Sequence, residues 1–161
     1  MRRHPQALPA CLAAALLAAA AVARAALSVD VVLPASVTFT VTNVAIATTG
    51  SPNPTTVTWS NAKIPVAKAV RFSVMADAAS FTPPSGNTIP AARVSWTVSN
   101  AQNGTGANGT LSASAWTQVF QSVANPSSGS FDVTWTLAAV SGLGIRSGTH
   151  TLTLRWKIEV I

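Results

Sequence analysis

The chain has 161 residues, with ten Lys and Arg against four Asp and Glu, two His, one Cys and no Tyr, for a formal net charge of +6. Only 9% of its residues are charged while 48% are hydrophobic, against roughly 25% charged in an average soluble domain. The cations are scattered rather than clustered, which excludes the basic footprint of a nucleic-acid binder, and a single cysteine excludes a disulfide scaffold.

Arg2, Arg3 and His4 precede a run of Ala and Leu over residues 12–22, and Ala23-Arg24-Ala25 follows. A basic start, a short apolar run and an A-x-A site are the signs of a secretory signal peptide, with the cut expected after Ala25. The apolar run falls short of the ~20 residues that span a bilayer, so no stable membrane insertion is expected once it is removed. Cys11 lies inside this segment. In a lipoprotein the apolar run precedes the Cys, whereas here it follows, so lipidation is not expected. Residues 26–161 then form one domain. It keeps seven basic residues and four acidic ones, a net of +3 (7 − 4), and no cysteine. A domain of about this length buries roughly two-thirds of its unfolded surface, so its core alone must hold it.

The first element expected after the cut is a short alternating strand. Leu27, Val29, Val31 and Leu33 alternate with Ser28 and Asp30 before Pro34 breaks the run. It reads either as the first strand of its own sheet or as a donor strand that completes a neighbour's sheet. Val37, Phe39 and Val41 alternate with Thr38, Thr40 and Thr42. Val57 and Trp59, then Val70, Phe72 and Val74, then Val94, Trp96 and Val98 repeat the pattern. Asn103-Gly104-Thr105-Gly106-Ala107-Asn108-Gly109-Thr110 reads as a flexible loop and carries two N-glycosylation sequons. Phe131, Val133, Trp135 and Leu137 form another alternating run, and Leu152, Leu154, Trp156, Ile158 and Val160 the last.

Alternate residues of a strand face opposite sides, so each run has one buried face and one wet face. Pro-, Gly- and Asn-rich punctuation separates the runs. The expected fold is all-β: an antiparallel two-sheet sandwich, immunoglobulin-like or pilin-like, with seven to nine strands. The apolar-x-Trp form recurs at Trp59, Trp96, Trp135 and Trp156. It is read as one core solution reused rather than as a duplication.

The chemistry-bearing residues are sparse. His150 shares the parity of Leu152 and is expected at the rim of the core. One His and scattered carboxylates do not supply a metal site, and Asp77 has no carboxylate neighbours. Asp132 and Glu159 both point to wet faces and would make a glycosidase-type pair only if their strands were neighbours. No catalytic residue, cofactor or metal is expected. Trp116 differs from the other tryptophans because its face is ambiguous: Gln118 and Phe120 share its parity. If one Trp binds a ligand, it is Trp116, with Gln118 beside it.

The hydroxyl-rich, charge-poor faces point to a protein that packs against copies of itself or against a cell-surface polymer. The N-terminal strand resembles the donor strand of chaperone-usher pilins, although those subunits carry a disulfide and a C-terminal aromatic pattern that this chain lacks. Thr56-Val57-Thr58-Trp59, Ile89-Pro90 and Arg146-Ser147-Gly148-Thr149-His150-Thr151-Leu152-Thr153-Leu154 resemble segments of a group of uncharacterised secreted β-sandwich proteins of soil bacteria. That resemblance implies a fold and carries no site residues. The expectation is a secreted or periplasmic, non-catalytic sandwich with a structural or adhesive role at the cell surface. The alternative is a carbohydrate-binding module built on Trp116, and a small hydrolase ranks last.

Overall fold

A computed structural model describes residues 28–81 and 87–161; the expected signal peptide and Leu27 lie outside them. The strands are β1 (Ser28–Val32), β2 (Ser36–Val41), β3 (Thr48–Thr49), β4 (Thr55–Lys63), β5 (Val70–Ala76), β6 (Val94–Gln102), β7 (Gly104–Gly106), β8 (Gly109–Thr110), β9 (Thr117–Ser122), β10 (Gly129–Leu137) and β11 (Gly148–Val160). A 3-10 turn at Ala91–Arg93 leads into β6. Every described strand pairing is antiparallel, and the strands form two sheets. One sheet runs β1-β4-β10-β6-β8, with β3 also on β10; the other runs β2-β11-β5-β9-β7.

The alternation explains the layering. In β10, Phe131, Val133, Trp135 and Leu137 are buried, while Ser130, Asp132, Thr134 and Thr136 are not. β11 uses one continuous period of two to serve two neighbours: Gly148–Thr153 pairs with β2 and Leu154–Val160 with β5. The inward faces of the two sheets meet through aromatic rings. Phe131 of β10 stacks on Phe120 of β9 at 4.6 Å between centroids and meets Phe72 of β5 edge-on at 5.5 Å. Trp135 contacts Trp96 at 5.7 Å within its own sheet and Trp156 of the other sheet at 6.4 Å. Such pairs add about 0.5–1.5 kcal/mol each beyond the area they bury.

Buried indoles need partners for their N–H groups. Trp135 donates to Thr55 Oγ1, Trp96 to the Ala107 carbonyl and Trp156 to the Pro34 carbonyl, at 3.1, 2.9 and 2.9 Å. Trp59 has no such partner. Its ring lies over Gly129, its register partner on β10, where a Cβ would come within 2.4 Å of Cζ2. Trp96 covers Gly109 of β8 in the same manner.

Three differences from the sequence-based expectation stand out. Among the described residues there are eleven strands where seven to nine were expected; the additional ones, β3, β7 and β8, have two or three residues each, too few to show an alternation. Asn103–Thr110 is not a loose loop. It crosses from one sheet to the other: β7 pairs with β9, Ala107 N–H donates to the Val119 carbonyl, and β8 then pairs with β6. The glycines that made it look flexible are there for close approach, since a Cβ on Gly104 would lie 2.2 Å from Phe120 and one on Gly106 2.3 Å from Val98. Third, His150 is fully buried rather than at the rim, because it pairs with Phe39 in the interior of β2.

A second crossing lies at the other side of the sandwich. Gly50 N–H donates to Trp135 in one sheet, and Ser51 exchanges two backbone hydrogen bonds with Thr38 in the other. No helix among the described residues is long and apolar enough to cross a membrane.

Candidate functional site

The outer face of β11, β5 and β9 carries the side chains with most capacity to bind. Its rows follow from register. Lys157, Ser73 and Gln118 lie side by side, as do Glu159, Arg71 and Gln121, with Thr105 of β7 extending the second row. A β-bulge sets which residues of β9 take part. The register shifts between Phe72 and Ser73, so Phe120 faces Phe72 in the core while Gln118 faces Ser73 and Gln121 faces Arg71. A bulge places two residues opposite one and turns the strand beyond it.

This bulge resolves the ambiguous parity of Trp116. Phe120 is fully buried, whereas Gln118 is part-exposed and Trp116 keeps 36% of its surface. The Lys157 ammonium lies over the Trp116 ring, 5.5 Å from its centroid, within the range of a cation–π contact. Lys157 also pairs with Glu159 at 3.1 Å, so its charge is balanced locally. Trp116 and Gln118 are therefore brought to one face, joined by Lys157.

Next to them is a groove of about 400 Å³ lined by Gly104, Thr105, Gln118, Gln121, Ser122 and Val123. Gln121 and Thr105 were not legible in the sequence: strict alternation from Gln118 sends Gln121 inward, and only the bulge returns it to the wet face. Arg71 Nε, in the same row as Gln121, is buried without a partner.

The other sequence-flagged residues lie apart from this face. Val29 and Val31 sit on β1, which pairs with β4 of the same chain through Asp30–Ser60, Val31–Trp59 and Val32–Thr58. Val29, Val31 and Leu33 pack part-buried against the core. Asp132 and Glu159 belong to different sheets, on opposite outer faces, and do not form a pair. Asp132 instead accepts hydrogen bonds from Asn100 Nδ2 and Thr56 Oγ1, both at 2.7 Å. These two bonds, Asn100 first, hold its carboxyl below the ordinary 3.8. Asp77 meets Arg155 at 3.7 Å on the exposed surface. His150 Nε2 lies 3.2 Å from the Arg146 carbonyl, and its Nδ1 has no partner. Both sequon asparagines are used structurally: Asn103 donates to the Ser128 carbonyl and Asn108 accepts from Val98 N–H, each at 2.8 Å. Among the described residues, no three His, Cys, Asp or Glu side chains gather as metal ligands would.

Comparisons of this chain with protein-family models, with curated proteins and with solved structures find no match.

Proposed function

We propose that this protein is a secreted, non-catalytic sandwich with a structural or adhesive role at the cell surface, where it packs against copies of itself. The outer face of the β1-β4-β10-β6-β8 sheet carries the argument. Its cross-strand rows are Thr56, Asp132 and Ser99; Thr58, Ser130 and Gln102; Thr134 and Thr97; and Thr49, Thr136, Ser95 and Thr110. The one charge in these rows, Asp132, is held by neighbouring side chains.

Soluble monomers keep apart through mixed charges on their surfaces and edges. The central rows of this face lack such a mixture, with Asp30 beside Ser60 at its β1 edge. Hydroxyls lose little on leaving water if they find partners, and a second face of the same kind offers donors and acceptors in equal supply. The Ala23-Arg24-Ala25 site and the apolar run before it support export.

The test is light scattering on purified protein over a concentration series, beside a Thr97→Lys/Thr134→Lys variant that places charge in the middle of the face. Growth of the wild type into larger species, lost in the variant, is the expected result. A wild type that stays monomeric throughout rejects self-association.

A further inference from the structure

We infer that the outer face of β5, β9 and β11 binds a neutral glycan, with Trp116 as its stacking platform and Gln118 and Gln121 as its polar contacts. This goes beyond self-association and does not depend on it, because the site lies on the opposite sheet from the hydroxyl rows.

Three observations converge. The first is the lining of the groove: two primary amides, the hydroxyl of Thr105 and no charged side chain, while the buried Ser122 hydroxyl is taken up by Val70 N–H and the Val123 carbonyl. A primary amide offers a donor and an acceptor in one plane, which suits the adjacent hydroxyls of a sugar. The groove has the volume of a small-molecule site, with Val123 as the one large apolar side chain in its lining.

The second is the placement of exposed apolar groups. Among the described residues the exposed large hydrophobics are Val32, Ile46, Val66, Trp116 and Val123. Two of these belong to this region: Val123 lines the groove, and Trp116 stands two residues before Gln118. Trp116 is also the one aromatic residue among them. The other four tryptophans are fully or partly buried, whereas this indole keeps 36% of its surface in contact with water. The C–H face of a pyranose packs on an aromatic face, whose negative quadrupole attracts the slightly positive hydrogens.

The third is preorganisation. Lys157 reaches the ring from β11, across the intervening β5, and Glu159 pairs with that ammonium. The floor is equally constrained, since Gly104 packs against Phe120 and the backbone of Gln121 and Ser122 without room for a Cβ. A site held in place before binding loses less entropy on binding. No charged side chain lines the groove itself, but Arg71 lies beside it in the row of Gln121, so an acidic polymer is the comparison the test must include.

The experiment is retention of the purified protein on insoluble cellulose and chitin, with affinity electrophoresis in soluble β-glucan and xylan. Polygalacturonate serves as the acidic comparison. Retention on at least one neutral polymer is expected, with affinity falling roughly tenfold or more in Trp116→Ala, as for a central aromatic contact. A smaller loss is expected in Gln118→Ala/Gln121→Ala, which leaves the ring in place and checks the site should Trp116→Ala fold poorly. Circular dichroism confirms that each variant is folded. Three outcomes overturn the proposal: no retention on any neutral polymer, retention unchanged in both variants, or binding to polygalacturonate alone.

Discussion

Trp59 and Gly129 show how narrowly single residues are specified. The indole occupies the space a Cβ at position 129 would need, with Cζ2 at 2.4 Å, Cε2 at 2.7 Å and the Gln102 carbonyl at 2.8 Å. Neither a buried ring nor a strand carbonyl can give way at low cost, and overpacking a core costs about 1–3 kcal/mol or more. Gly129→Ala is therefore expected to lower the unfolding free energy measured by urea titration by an amount in that range. The same change at Gly142, where nothing lies within 4 Å, meets only its left-handed φ of 80° and should cost about 1 kcal/mol. Equal losses at the two sites would show that the Trp59 contact is not what position 129 protects. Asp132 gives a second prediction at this scale. Asn100 and Thr56 hold its carboxyl below 3.8, so the folded state binds its proton less readily than the unfolded chain does. The resulting stability is present above the ordinary carboxylate range and is lost as pH falls through the lowered value. Asp132→Asn should therefore be less stable than wild type at neutral pH. The gap should narrow as pH falls through the lowered value and the wild-type carboxyl becomes protonated too. The effect is small because the carboxylate faces solvent, and a gap independent of pH would refute it. Burial of Trp59, Trp96 and Trp135 was legible from alternation. The face of Trp116 was not, because one extra residue in β9 reverses parity and leaves no mark in composition.

Whole elements follow the same logic. The strands of five residues or more, β9 excepted because its bulge breaks the alternation, were visible in the sequence because each repeats its inward-outward pattern long enough to be read. β3, β7 and β8 were invisible because their pairing is fixed by what they meet: β3 by β10, β7 by β9 and β8 by β6. The Gly-rich segment that joins β7 and β8 shows the limit of reading glycine as flexibility, since three of its glycines are required by Phe120, Val98 and Trp96. The N-terminal strand had two readings, first strand or donor strand, and β1 here lies against β4 of its own chain. Asp30 and Ser60 are register partners on the outer face, and such neighbours sit close enough to bridge. Asp30→Cys/Ser60→Cys is expected to oxidise within one chain and run as a monomer on a non-reducing gel at every concentration. Covalent ladders that grow with concentration would mean that β1 is exchanged between copies.

At the scale of the molecule, two crossings tie the sheets together. One is the Gly50-Ser51 passage from β10 to β2, the other the passage from β7 to β8. They engage the edge strands β2, β7 and β8, of the kind a sandwich ordinarily leaves open to strand addition, and leave β1 as the edge that neither crossing covers. Face-to-face contact between hydroxyl rows makes a distinctive demand on salt. Exposed charges attract only within a Debye length, about 10 Å at 0.1 M salt and about 3 Å at 1 M. An assembly joined by Arg71, Arg155 and Lys157 of one copy against Asp30 and Asp132 of the next would dissolve as salt rises. An assembly joined by Thr and Ser rows has no such term, and its scattering intensity should change little between about 0.05 and 0.5 M sodium chloride. Loss of the large species across that range would assign the contact to the charges. Persistence in salt, together with dissolution by Thr97→Lys/Thr134→Lys, would assign it to the hydroxyl face, since only a contact buried on that face is sensitive to an added charge there and insensitive to screening elsewhere.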